Sequence, residues 1–117
     1  MVMSDSDTAI LIYGTFPDRD TAMNIAGELV DGKMAACVNV LGEMTSIYNW
    51  QGERHADREV AAIIKTRAGL AETVVERVRA LHPYDNPALV VLPLAGGSRE
   101  FLTWVLSETG AQTVAGD

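Results

Sequence analysis

A chain of 117 residues is long enough for one domain with its own hydrophobic core, without a disulfide or a structural metal to hold it. Sixteen acids against nine bases give a formal charge of −7, which opposes binding to phosphate backbones and to anionic lipid. A single cysteine, Cys37, excludes an intrachain disulfide and points to a reducing compartment, and no apolar run approaches the roughly twenty residues of a membrane span. Met1 to Asp7 has neither the basic start nor the apolar core of a signal peptide, so the expected location is cytoplasmic.

Residues 1–7 are polar and are expected to be disordered. Thr8 to Thr15 reads as a buried strand, with Ile10, Leu11, Ile12 and Tyr13 in a row, and Gly14-Thr15-Phe16-Pro17-Asp18 ends it. Ala22, Ile25, Ala26, Leu29 and Val30 then recur at helical spacing, with acids at the start and Asp31-Gly32 as the stop. Two long extended arms follow, folded back on each other at Gln51-Gly52. The first carries Ala36, Cys37, Val38, Val40 and Leu41, pauses at Gly42-Glu43, and resumes with Ile47, Tyr48 and Trp50. The second starts polar with Glu53, Arg54 and His55 and turns apolar from Val60 to Ile64 before Lys65-Thr66.

Beyond this hairpin, Leu70, Val74, Val78 and Leu81 mark a second amphipathic helix that Pro83 must terminate. Ala88 to Leu92 is a short strand. Gly96-Gly97 turns the chain, Ser98 can cap a third helix whose apolar face is Phe101, Leu102, Val105 and Leu106, and Gly110 stops it. Residues 111–117 read as a disordered tail, which leaves one domain over 8–110. The order β-α-β-β-α-β with one extra helix is the split arrangement of α+β, ferredoxin-like domains. The helices are expected on one face of a four-stranded antiparallel sheet, and the other face has to be buried by something else.

The arm length carries a further expectation. An arm of about fifteen residues spans on the order of 50 Å, whereas a helix of about fourteen residues covers only about 21 Å of it. The end bearing Tyr48 and Trp50 therefore overhangs its own helices, and a second copy of the chain is the expected cover.

The densest cluster of chemistry-bearing residues is His82-Pro83-Tyr84-Asp85-Asn86-Pro87, where two prolines restrict the backbone. Imidazole, phenol and carboxylate within four residues can bind a metal ion or a polar ligand. The same residues also suit a helix C-terminus followed by a turn. Cys37 reads as core and His55 as solvated surface. No CxxC, HxH or HExxH spacing occurs, so a metal site would be partial or shared between subunits. Glu59 and Lys65 share a parity in the second arm and point to one sheet face, as do Tyr48 and Trp50 in the first. Nothing supplies a nucleophile elbow or a phosphate-binding loop, so the chain is expected not to be an enzyme. An acylphosphatase would need an arginine cradle after the first strand, and RNA binding on this fold a basic sheet surface.

The segments Ala35-Ala36-Cys37-Val38-Asn39, Ser46-Ile47-Tyr48-Asn49-Trp50-Gln51-Gly52, Ile64-Lys65-Thr66 and His82-Pro83-Tyr84 follow the order and spacing of the CutA divalent-cation tolerance proteins. Phe101-Leu102-Thr103-Trp104-Val105 is similar to that family's closing helix, and the resemblance runs from Ile10 to about Glu108. It implies a tight homotrimer with hairpins paired between subunits, an assembly similar to the PII signalling proteins. It also implies tolerance of copper and other divalent cations, with copper or another divalent cation as ligand and no obligatory cofactor. His82 is then the best metal-ligand candidate, with Asp85 beside it. Some metal-binding relatives have a cysteine at the position of Gly14 and a histidine at that of Leu81, and this chain has neither, so subunits would have to pool ligands. Glu59, Lys65, Tyr84 and Trp50 match positions typical of the family and suggest a ligand cleft between subunits, which is also where a PII-like small-molecule sensor would bind.

Overall fold

The computed structural model describes residues 8–110, and the two termini expected to be disordered lie outside the described residues. The elements are β1 (Ala9–Phe16), α1 (Arg19–Asp31), β2 (Cys37–Trp50), β3 (Glu53–Arg67), a short 3-10 turn (Ala68–Leu70), α2 (Ala71–Leu81), β4 (Leu89–Pro93) and α3 (Arg99–Ser107). The strands form one antiparallel sheet in the order β2-β3-β1-β4, the ferredoxin-like arrangement.

Local chemistry explains most boundaries. Asp18 caps α1, its carboxylate accepting from the Thr21 amide at 2.8 Å, and Ser98 caps α3 through Phe101. At the end of α1 the left-handed residue is Lys33, with φ 63°, while Gly32 stays at φ −85° as the C-cap. Gly110 ends the α3 region at φ 77°. At the hairpin tip Trp50 faces Glu53, and both loop residues, Gln51 and Gly52, have positive φ, as a two-residue turn matched to strand twist requires.

The core lies between the sheet and two helices. Ile10, Ile12, Ala62 and Ile64 meet Ile25 and Leu29 of α1 and Val74 and Val78 of α2. Ile12, Leu29, Val74 and Val78 are fully buried, so the apolar face of each element is used where the periodicity put it. Thr66 continues this face and donates to the Met34 carbonyl at 2.7 Å.

The third helix departs from the expectation that all helices share a face. Lys65 and Arg67 alternate with the buried Ile64 and Thr66, so they point to the opposite side of the sheet. There the Lys65 ammonium lies 5.1 Å from the centre of the Phe101 ring. The Arg67 guanidinium donates to the carbonyls of Leu106 and Thr109, the latter at 2.8 Å. A cation thus satisfies carbonyls that the end of α3 leaves free, which favours this seat. Thr109 is buried beside it and donates to the Val105 carbonyl at 2.8 Å.

The hairpin dominates the outline, which measures 52 × 28 × 24 Å. β2 and β3 have 14 and 15 residues, and the apolar residues at their far end, Ile47, Tyr48 and Trp50, are exposed, Trp50 at 58%. The expected pause at Gly42-Glu43 is a register shift: Val40 faces Ala62 but Glu43 faces Val60. β2 therefore spends one residue more than β3 across this interval.

Candidate functional site

The odd-numbered residues of β3 line the sheet face that α1 and α2 leave open. Directly opposed residues of an antiparallel pair share a face, so Met44, Ser46, Tyr48 and Trp50 of β2 stand with Glu59, Asp57, His55 and Glu53. Within this ladder the polar groups bond diagonally. Ser46 donates to Glu59 Oε1 at 2.6 Å, Tyr48 donates to the Asp57 carboxylate, and the Tyr48 ring stacks on His55 with centroids 5.3 Å apart. Tyr13 of β1 leans toward the Met44 sulfur at 4.0 Å.

The turn after α2 brings Tyr84 onto this patch. Its phenol is raised above the ordinary tyrosine range, first by burial, then by the negative charge of Glu59 and a hydrogen bond to it, with smaller contributions from Asp57 and Asp18. Tyr48 is also raised, chiefly because its proton is held in the hydrogen bond to Asp57. Two phenols that keep their protons thus face two carboxylates. Among the described residues neither Asp57 nor Glu59 forms an ion pair with lysine or arginine; the ion pairs found join Lys33 to Glu108 and Arg77 to Glu28.

His82 occupies a different environment from the one its ligand role requires. It is 7% exposed, stacked on Phe16 at 5.1 Å and tilted against Tyr84 at 4.7 Å. Nε2 lies 2.8 Å from the Thr15 carbonyl oxygen, and Nδ1 accepts the Tyr84 amide at 3.1 Å. A carbonyl can only accept, so Nε2 carries the proton and the lone pair of Nδ1 is taken by an N–H. The imidazole as folded has no lone pair for a metal. Asp85 is exposed on the turn, and among the described residues no group of three or more histidine, cysteine, aspartate or glutamate side chains could hold a metal ion.

The remaining cleft candidates are spread along the same face. Lys65 is six residues from Glu59 on β3, about 20 Å away, and sits against α3. Trp50 is a similar distance in the other direction, at the turn. One chain brings together Glu59 and Tyr84 alone of the four, so a cleft holding all of them has to draw on neighbouring subunits. At Gly14 a Cβ atom would come within 2.9 Å of the Leu89 side chain, and Leu81 packs against the core; neither position has room set aside for a ligand. Ser46 and Asp57 entered the patch unannounced. Once the Gln51-Gly52 turn is fixed, counting back from it pairs Ser46 with Asp57.

An antiparallel α+β domain with a hairpin that outruns its helices, and a carboxylate-phenol patch on the uncovered face, defines the class. Comparison with known proteins places it more closely. Residues 10–108 match the sequence profile described as CutA1 divalent ion tolerance protein. The divalent-cation tolerance protein CutA of Thermus thermophilus is 46% identical over 96 residues, covering 82% of this chain and 93% of that one. The chloroplastic CutA protein of Arabidopsis thaliana is 41% identical over 86% of this chain, which spans 56% of its length. The crystal structure of CutA1 from Oryza sativa superposes with a TM-score of 0.87 at 36% identity, over 92% of this chain and 99% of that one. The chain belongs to the CutA1 divalent ion tolerance family. No helix among the described residues is long and apolar enough to cross a membrane.

Proposed function

We propose that this protein acts in divalent-cation tolerance as a cytoplasmic homotrimer, without catalysis, and that its ligand contacts the Ser46, Tyr48, Asp57, Glu59 and Tyr84 patch. The observation that carries this reading is the pair of carboxylates, Asp57 and Glu59, held in place by hydroxyl donors on an open sheet face and unmatched by a cation among the described residues. Hydroxyl-bonded carboxylates and phenols are oxygen donors, the type that suits hard divalent cations better than reduced copper. With two carboxylates per chain, oxygens from a second subunit would raise the number of charged ligands beyond what one chain supplies, which is the physical reason to couple binding to a trimer. A copper site at His82 and Asp85 is the weaker form of the proposal, because His82 would first have to release either Thr15 or Tyr84.

The test is calorimetric titration of the intact protein with zinc and with copper, for the wild type, Glu59→Gln and His82→Ala. Binding weakened at least tenfold by Glu59→Gln supports the patch. Binding unchanged by Glu59→Gln and abolished by His82→Ala rejects it in favour of His82. A second reading, a PII-like sensor of small molecules, draws on the presence of Lys65 and Glu59 on one face. A thermal-shift screen against small anionic and zwitterionic metabolites tests it, and a flat response in the native protein counts against it.

A further inference from the structure

We infer that His82 is a positioning residue, a neutral clamp that seats Tyr84 against Glu59 and acts on the ligand patch without touching the ligand. Nε2–H donates to Thr15 at the end of β1, and Nδ1 accepts from the first peptide N–H beyond Pro83, that of Tyr84. The imidazole therefore joins two segments 67 residues apart in sequence. Its faces do the same: Phe16 stacks on it at 26° and the Tyr84 ring leans on it at 52°. Backbone and ring of Tyr84 are thus both referenced to one side chain, which is itself buried and fixed by the sheet.

The composition of the turn makes such a clamp useful. Pro83 has no N–H to give, and His82 itself has left helical geometry, with φ −82° and ψ 139°. The Tyr84 amide is then the first donor after α2 that can anchor the segment, and Nδ1 takes it. The phenol beyond it lies near enough to Glu59 to be influenced by its charge, and Glu59 in turn accepts from Ser46 on β2. A line of contacts runs from Thr15 on β1 through His82 and Tyr84 to Glu59 on β3 and Ser46 on β2. Removing the imidazole cuts that line between Thr15 and Tyr84, while an asparagine, whose amide has N–H donors and an acceptor oxygen, has the chemistry to meet the same kinds of backbone group.

This inference rests on the patch being the ligand site, but its structural half can be checked without any ligand. The experiment records imidazole nitrogen shifts of the wild-type protein by long-range proton–nitrogen correlation, with and without zinc as a diamagnetic probe, together with hydrogen exchange at the Tyr84 amide. The expected result is an Nε2–H tautomer whose Nδ1 signal stays in place as zinc is added, with the Tyr84 amide protected. A large shift of either His82 nitrogen on adding zinc, or an Nδ1–H tautomer in the free protein, overturns the clamp. In the variants, His82→Ala should lose Tyr84 protection and weaken zinc binding about as much as Tyr84→Phe, and His82→Asn should restore part of both. Equal zinc affinity in wild type and a folded His82→Ala overturns the positioning role. If wild type binds no zinc, the ligand reading fails on its own, and the tautomer and exchange data still decide whether the clamp exists.

Discussion

The two halves of the long hairpin are continuous in covalent and hydrogen-bonded structure, yet they are held by different physics. Near the base, Val60, Ala62 and Ile64 are buried against α1 and α2, so side-chain transfer from water stabilises the pairing. Toward the tip the ladder continues for seven more pairs, Met44–Glu59 to Trp50–Glu53, and its large apolar residues Ile47, Tyr48 and Trp50 are exposed. There the specific contacts are Ser46 with Glu59, Tyr48 with Asp57, and Tyr48 stacked on His55. A core holds the first half, and a surface network backed by exposed aromatics holds the second. The difference teaches that strand length and core burial are separable, since the pairing runs well beyond the helices that cover its base.

That contrast can be tested by substitution, starting at the base. Ile64→Ala should cost about 2–5 kcal/mol in urea unfolding, because it empties a site that is 1% exposed. Ile47→Ala, on the 61% exposed far end, should stay within about 0.5 kcal/mol at high dilution. If its cost grows with protein concentration, the tip is covered by another copy; an equal cost at every concentration would break the comparison. Next in size is Arg67→Met, which strips the end of α3 of its cation. It should cost about 1–3 kcal/mol and speed hydrogen exchange in α3 before any other helix. Ser46→Ala removes one bond to Glu59 and should cost about 1 kcal/mol, with faster exchange confined to the hairpin tip.

The smallest expected effect is alkaline. Tyr48 titrates above its ordinary value in the folded chain because Asp57 holds its proton, so the folded state favours the neutral phenol. The resulting stabilisation is complete below about pH 10 and is lost as pH rises through the raised value. Asp57→Asn should return Tyr48 toward the ordinary range, as read by the tyrosinate absorbance band. An identical titration in the variant would mean the bond contributes nothing in solution.

Much of this fold was legible because its determinants are local. Gln51-Gly52 announces a two-residue turn, Gly42-Glu43 an interruption, and the spacing of Leu70, Val74, Val78 and Leu81 a one-faced helix, and each stands where the chain chemistry put it. The path of α3 was not legible. It depends on Arg67, whose partners Leu106 and Thr109 lie 39 and 42 residues away, and nothing in the helix itself states which side of the sheet it will take. The patch was half legible: the parity of β3 placed Glu59 on the open face, but its link to Tyr84 depends on how the Pro83 turn folds over the sheet. His82 shows the limit most clearly. Histidine beside proline and tyrosine suits a ligand and a turn equally well, and only the carbonyl of Thr15, distant in sequence, decides that its proton is already committed.

The register shift between Val40 and Glu43 acts on the ribbon as a frameshift acts on a message. Upstream of it, odd positions of β2 such as Cys37 and Asn39 share the open face; downstream, even positions do, from Met44 to Trp50. Give the exposed Gly42 a partner of its own, so that the ladder alternates strictly past Val40, and every downstream side chain changes sides: Ser46, Tyr48 and Trp50 would turn away from the patch, and Ile47 and Asn49 would stand in their place. One position with no side chain of its own thereby determines which of two different surfaces the far third of the molecule shows to whatever meets it.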